Sequence, residues 1–315
     1  MATVQGVLGP IDTADLGFTL MHEHVLVMNW SMRQALPGWL ERDELIAHAI
    51  GEAKAAKERG VATLVDLTPV NLGRDIEILR EVAEKSGIQI IAATGFYWTE
   101  EPWYQGWDVD RLVEFLLPEI TTNVQGTTSQ VGIIKAATDE PGVTELNRKL
   151  LQVAARLHRA TGVPISTHTH VHSGTGRRQQ EVFAAEGVDL TRVVIGHCGD
   201  TEDIAHLEEI LKDGSTIGMD RFGLDFLLPM EQRVSTIVEL CKRGWAEQIV
   251  LSHDAACHID WFPKEAIAEA APRWTFRHIP DDVLPALRAA GVTEEHIQTM
   301  IVGNPRRIFE RQGAY

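Results

Sequence analysis

Three cysteines in 315 residues, Cys198, Cys241 and Cys257, are too few and too widely spaced for a disulfide framework. No C-x2-C pair is present to build a cysteine zinc site, so they read as reduced, partly buried thiols. No uninterrupted apolar run approaches the roughly 18 residues that a membrane-spanning helix needs. Basic residues are scarce: 29 Lys and Arg against 45 Asp and Glu leave a formal charge of −16. Such a surface repels polyphosphate and anionic headgroups, which makes nucleic acid and membranes poor partners. No Lys or Arg precedes Arg33 and no apolar segment leads to a small-residue cleavage site, so no secretory leader is read and a cytoplasmic location is expected. Low-complexity tracts are missing too, because 26 Gly and 13 Pro are spread along the chain, which excludes collagen-like or disordered character.

What is present is an alternation of short β-branched apolar runs with longer stretches of 3.6-residue periodicity. Strands are predicted at 18–27, 61–68, 88–94, 131–138, 163–168, 192–197, 215–220 and 248–253. Helices are predicted at 41–59, 74–85, 109–123, 144–161, 177–186, 201–212, 229–243 and 281–290. Thr201, followed by acidic residues, reads as a helix-starting cap. Gly60, Gly87, Gly162, Gly187, Gly214, Gly244 and Gly291 each stand where a helix should stop. Eight such βα units fit a TIM (β/α)8 barrel forming a single domain over residues 1–315. A doubly wound open sheet is the alternative, but no G-x-G-x-x-G follows any strand, and no Pro/Gly/Ser-rich linker supports two domains. Residues 293–311 are expected to form a terminal helix broken at Gly303, Asn304 and Pro305 that closes the barrel.

Function in a barrel gathers where the strands end, and there the polar residues are of one kind. His22-Glu23-His24 lies on the first strand, where side chains alternate, so His22 and His24 face one way and Glu23 the other. Alone, H-x-H is a weak signal. It strengthens because 163–168, 192–197 and 248–253 also end in metal-capable groups: His168, His170 and His172; His197 and Cys198; His253 and Asp254. Several buried imidazoles are costly as free polar groups, and a divalent ion offsets that cost. Imidazole with carboxylate suits Zn, Mn, Fe or Co better than Ca or Mg. Four His and one Asp exceed the needs of one four-coordinate ion, which points to two ions with a shared ligand. Lys135, alone in the apolar run Gly132 to Thr138, is expected to be neutral, paired or modified. His168, His170 and His172 share a face and remain equivalent on spacing. His253 should face away from Asp254. His48, His158, His206 and His296 fall in helical stretches and read as surface residues.

These residues stand in motifs that resemble the phosphotriesterase family of binuclear metallohydrolases, and more closely its lactonase branch. The resemblance runs from Gly9-Pro10-Ile11 and Leu20-Met21-His22-Glu23-His24 through Lys135-Ala136-Ala137-Thr138-Asp139-Glu140-Pro141-Gly142 and Ile165-Ser166-Thr167-His168-Thr169. It continues in Val194-Ile195-Gly196-His197-Cys198-Gly199-Asp200, Gly218-Met219-Asp220-Arg221-Phe222-Gly223, Leu251-Ser252-His253-Asp254 and Asn304-Pro305-Arg306-Arg307-Ile308-Phe309. It implies that His22, His24 and Asp254 hold a buried ion, that His168 and His197 hold an exposed one, and that Lys135, carboxylated by CO2, bridges them. It further implies zinc, with Co, Mn or Fe sharing the same ligand preference, attack by a hydroxide shared between the ions, proton transfer through Asp254, and a homodimer. His170 and His172 then become rim residues.

The loops suggest the substrate. Phe96, Tyr97, Trp98, Trp103, Tyr104 and Trp107 follow the third strand, and Ile259, Trp261, Phe262, Trp274 and Phe276 follow the eighth. In the lactonase branch a Tyr, an Arg and a Trp lie near the metals, and the matching residues are Tyr97, Arg221 and Trp261. Leu224, Phe226, Leu227 and Leu228 add apolar surface. An apolar channel onto a hydrolytic metal pair suits a small lactone or ester with an acyl or alkyl tail, such as an N-acyl-homoserine lactone or a γ- or δ-lactone. Organophosphate triester hydrolysis is the rival activity. A non-catalytic binding protein would show a damaged ligand set, and all six positions hold competent residues.

Overall fold

The chain opens with an antiparallel hairpin, β1 (Thr3–Gly6) and β2 (Gly9–Asp12), four residues each and too short to stand out as a periodic pattern. The apolar runs then form β3 (Phe18–Glu23), β4 (Val61–Asp66), β5 (Gln89–Gly95), β6 (Ile133–Ala137), β7 (Ile165–His168), β8 (Val193–Ile195), β9 (Thr216–Met219) and β10 (Ile249–Leu251). These eight pair in parallel and in chain order. The first and last meet where Asp254 N–H donates to His22 O at 2.9 Å and His24 N–H donates to Ala255 O at 2.8 Å, which closes a TIM barrel. This computed structural model describes residues 2–310 and 313–315; Met1, Arg311 and Gln312, which fall within the expected spans 1–315 and 293–311, lie outside the described residues.

Side chains alternate along the strands, one set packing outward on the helices and the other inward. The exception is β3, where register shifts between Phe18 and Thr19 and between Leu20 and Glu23 let both Met21 and His22 turn inward. Met21, Val65, Ile91, Ile133, Val194 and Val250 form an inner apolar cluster with Leu16, Ile308 and Phe309. Each such side chain contributes roughly 1.5–3 kcal/mol by leaving water. The barrel interior is thus mainly apolar, with short hydroxyl side chains such as Thr63 tied to backbone oxygens, and the imidazole and charged groups collect at the strand ends.

All seven glycines expected to stop helices have left-handed φ, between 71° and 103°. At Gly162 the N–H closes the helix Glu145–Thr161 on His158 O at 2.6 Å, a geometry that a Cβ would strain. Two expectations need correction. Thr201 does not cap the helix Ile204–Lys212; Asp203 does, accepting His206 N–H at 3.1 Å, while Thr201 Oγ1 accepts Asp203 N–H at 3.1 Å. The terminal helix is not broken either. Glu294–Gln298 runs through a wider turn, Thr299–Gly303, straight into Asn304–Glu310, and that widened turn, closed by Asn304 N–H on Thr299 O, is what accommodates Pro305 within a continuous helix.

His158 is a third correction, for it is buried and not on the surface. Its Nδ1 donates to Val163 O at 2.7 Å and its Nε2 accepts from the Tyr315 hydroxyl at 2.7 Å. Burial pushes its pKa down, in keeping with a neutral ring. Cys198 and Cys241 are buried, Cys257 is half-buried, and all three are free thiols. Among the described residues no helix is long and apolar enough to cross a membrane.

Candidate metal centre

Six side chains from β3, β6 and β7 and the segments after β3, β8 and β10 meet at the strand ends. His22 Nε2 lies 2.8 Å from Lys135 Nζ and 3.2 Å from Asp254 Oδ1. His24 Nε2 is 3.1 Å from Asp254 Oδ1, and His197 Nε2 is 3.7 Å from Asp254 Oδ2. His168 Nδ1 completes the group at 2.9 Å from His197 Nε2.

The outward ring nitrogens decide what the inward ones offer. Asp220, absent from the sequence-based site, takes His22 Nδ1 on Oδ2 at 2.8 Å and His197 Nδ1 on Oδ1 at 3.0 Å. Thr68 Oγ1 donates to Leu26 O at 3.1 Å and so accepts from His24 Nδ1 at 2.9 Å. Asp139 Oδ2 accepts from His168 Nε2 at 2.8 Å. Each outward nitrogen thus carries the proton, and each inward one presents a lone pair. Two such lone pairs, His168 Nδ1 and His197 Nε2, face each other with no proton between them. A divalent cation fits this donor set, because it can accept at once the converging lone pairs of His24, His168 and His197 and the Asp254 carboxylate. His22, His24 and Asp254 have ligand spacing, and so do His22, His197 and Asp220. Asp220, however, is spent on the outward nitrogens and grips the two rings from behind.

Electrostatics agree with neutral donors. Burial, then the nearby Lys135, lowers His22 to about 4; burial also lowers His168, and holds His197 well below its ordinary value. Burial brings Lys135 down to about 8 against the pull of Asp254 and Asp220. For Asp254 burial alone would act upward, but the bases packed around it, of which Arg221 is the one that stays charged, outweigh it and keep the carboxylate well below its usual range.

The backbone is bent to make this cluster. His197 and Asp254, with φ of 59° and 56°, are two of the three non-glycine residues in the left-handed region among the described residues. Such a conformation costs about 1–3 kcal/mol and persists only where neighbours impose it. Here His197 N–H is held by Asp220 Oδ1 at 2.7 Å and Asp254 N–H by His22 O at 2.9 Å. Glu23, on the opposite face as expected, accepts from Ser252 Oγ, His253 N, His253 Nδ1 and Ala255 N at 2.6–3.0 Å, which fixes the segment carrying Asp254. His253 accordingly points away from the cluster.

Gly218 makes room for Asp220: a Cβ there would stand 2.5 Å from Asp220 Oδ2. Asp220 is buried and tied to three donors, so it has nowhere to go. The expected result for Gly218→Ala is a loss of about 1–3 kcal/mol in the melting of the metal-free protein together with weaker metal binding. Calorimetry and metal titration of the purified variant check it.

A cavity of about 380 Å³ opens from His24, Lys135, His168 and Asp254. Tyr97, Arg221 and Trp261 all line it, and Leu72, Leu224, Phe226 and Phe262 supply apolar wall. The Tyr97 ring stands edge-on to His168 at 5.1 Å and 5.9 Å from Trp261, and burial, then Asp139, pushes its hydroxyl pKa up. Arg221 donates from Nε to Asp254 Oδ2 at 3.0 Å and from Nη1 to Asp200 Oδ2 at 2.9 Å. Burial alone would lower Arg221, but Asp254 and Asp200 raise it, so it stays charged. Other aromatics of these loops do different work. Phe96, Tyr104 and Phe276 are core, while Trp103 and Trp107 are exposed and do not line the cavity. His170 is half-buried against Ser173 and His172 is exposed, so neither enters the cluster. Asp220, Asp139, Thr68 and Asp200 are the participants that sequence reasoning missed. Asp139, Asp200 and Asp220 stand inside the motifs that carry the family resemblance, which assigned them no role, and Thr68 is marked only by its place just past the end of β4.

Fold and donors together define a (β/α)8 barrel with a histidine–carboxylate–lysine centre able to hold metal at the mouth of an apolar cavity. The chain belongs to the phosphotriesterase family, whose model matches residues 2–309. It is 47% identical over 317 residues to a phosphotriesterase homology protein of Mycobacterium tuberculosis, covering 98% of this chain and 97% of that one. It is 40% identical over 303 residues to an aryldialkylphosphatase of Saccharolobus solfataricus, covering 95% and 96%. Among solved structures, the phosphotriesterase from Mycobacterium tuberculosis superposes with a TM-score of 0.96 at 45% identity over 99% of this chain and 100% of that one. A second, from work engineering organophosphate hydrolysis out of a weak promiscuous lactonase template, gives 0.89 at 35% identity over 98% and 99%. The protein is a phosphotriesterase-family hydrolase.

Proposed function

We propose that this hydrolase opens lactones bearing an apolar tail, N-acyl-homoserine lactones or γ- and δ-lactones, with organophosphate triester hydrolysis as a side activity. His22, His24 and Asp254 would hold the buried ion, His168 and His197 the exposed one, and Lys135, as its carboxylate, both. The observation that carries this reading is the set of inward lone pairs at the closed end of an apolar cavity. Two divalent ions held there would supply Lewis-acid polarisation of the substrate oxygen and lower the pKa of a water toward neutrality.

The chain's own groups then do the following. Asp254, ionised and fixed by Arg221, accepts a proton from the attacking water and later passes it to the departing ring oxygen. Tyr97, kept protonated by burial, donates to the substrate's ring oxygen or carbonyl. Arg221, spanning Asp254 and Asp200, anchors the loop after β9, and Trp261 walls the entrance. Lys135 supplies the amine on which a CO2-derived carboxylate forms, with one proton released; zinc is the ion proposed, with Co, Mn or Fe as substitutes. A homodimer is proposed as well, tested by sedimentation as a mass near twice 35.0 kDa.

A second reading, with triesters as the principal substrates, is favoured by the relative named an aryldialkylphosphatase. One panel separates the two. Expected are lactone kcat/KM values above those of aryl dialkyl phosphates, rising with tail length by up to about fourfold per methylene until the cavity is filled. Higher triester values, with no response to the tail, would favour the second reading.

A further inference from the structure

His168 is the odd member of the cluster. His22, His24 and His197 present Nε2 to the centre, whereas His168 presents Nδ1 and turns Nε2 outward onto Asp139. Its main chain is held independently, since Thr138 N–H donates to His168 O at 3.1 Å and Gln179 Nε2 donates to the same oxygen at 2.8 Å. Those bonds leave the ring free to turn over about its Cβ–Cγ bond, and that motion would swap Nδ1 for a carbon. What opposes it is the Asp139 carboxylate.

That carboxylate is itself aimed. Its Oδ1 accepts Glu140 N–H at 2.7 Å, which leaves Oδ2 for the imidazole. The turn carrying it is closed by Gly142 N–H on Asp139 O at 2.8 Å, with Gly142 at a left-handed φ of 88°. Ser173 Oγ ties it to the loop after β7 by donating to Glu140 O at 3.0 Å. We infer that Asp139 is a positioning residue: it fixes which edge of His168 faces the centre and strengthens Nδ1 as a donor, so that loading of the exposed ion position depends on the turn 139–142. This rests on the metal-centre reading of the site. It also predicts asymmetry, because Asp139 touches no other imidazole of the cluster, while Asp220 grips one ring on each side.

The test is a two-step zinc or cobalt titration of the metal-free protein with a competing chelator, for wild type, Asp139→Ala, Asp139→Asn, His168→Ala and the double variant Asp139→Ala/His168→Ala. The expected result is a second step weakened about 10–100-fold in Asp139→Ala and less in Asp139→Asn, with the first step within about twofold of wild type. Turnover should return at saturating metal. In the double variant the Asp139 substitution should add nothing to the loss from His168→Ala. Equal weakening of both steps, or a second step unmoved by Asp139→Ala, overturns the inference. Wild type failing to take up two ions is a different result, which would remove the metal-centre reading and this inference with it.

Discussion

Lys135→Met lowers kcat/KM by well over a hundredfold and removes bound metal in the same step. The size follows from position. Loss of an outer partner of a metal ligand already costs about 10–100-fold in affinity or activity. A group proposed to serve both ions must cost more, and methionine keeps the volume of lysine, so no cavity confuses the result. Stability should move the other way. In the metal-free protein the amine falls from its ordinary 10.5 to about 8, chiefly through burial. A base lowered on folding penalises the fold below its folded value, and the penalty fades as pH rises to the unfolded value. Here it is full below about 8 and absent above about 10.5, roughly 3 kcal/mol in all. Metal-free Lys135→Met should therefore melt higher than metal-free wild type at pH 7, and the gap should close by pH 10 to 11. The neutral amine is also the form that adds CO2, so reconstitution at fixed dissolved CO2 should quicken about tenfold per pH unit up to about 8. Melting curves, metal analysis and reconstitution rates check the three parts. A variant that keeps both ions and wild-type turnover would end the proposal for Lys135.

Much of this was legible because barrel strands and helix stops are local signals. A buried parallel strand must be a continuous apolar run, and a helix ending in a left-handed turn favours Gly, so both leave marks within a few residues. The donors were legible for a similar reason: imidazoles and a lysine at the ends of apolar strands have no cheap explanation apart from one another. What stayed hidden is non-local. Asp220 differs from any other aspartate only in that His22 and His197, 198 and 23 residues away, fold onto its two oxygens. His158 sits in a helix and reads as exposed until Tyr315, 157 residues later, docks on it. The left-handed backbone at His197 and Asp254 is imposed by tertiary hydrogen bonds against local preference, which no propensity reports. Loop aromatics fail for the same reason, because Tyr97 and Trp103 are alike as residue types while one lines the cavity and the other faces solvent.

Asp254→Asn is the second variant with a large effect, and it separates two roles that coincide in one carboxylate. Asparagine has the same shape and, like aspartate, tolerates the left-handed φ of 56° found here, so the bend after β10 should survive. The charge does not survive. Asp254 lies against three imidazoles at 3.1–3.7 Å and accepts from Arg221 at 3.0 Å, so the amide leaves the guanidinium with Asp200 as its remaining carboxylate and offers the centre a weaker ligand. Tighter dependence on added metal is one consequence. The other is the loss of a proton acceptor, a role that typically contributes 10²–10⁴-fold. Saturating metal can repair only the first. The expected result is a kcat that stays about 10²–10⁴-fold below wild type at saturating metal, with the melting temperature of the metal-free protein changed by no more than a few degrees. Arg221→Met, which spares the carboxylate and removes only its anchor, should lose less. If excess metal brings Asp254→Asn back to within tenfold of wild-type kcat, Asp254 is a ligand and nothing more, and proton transfer belongs to another group lining the cavity.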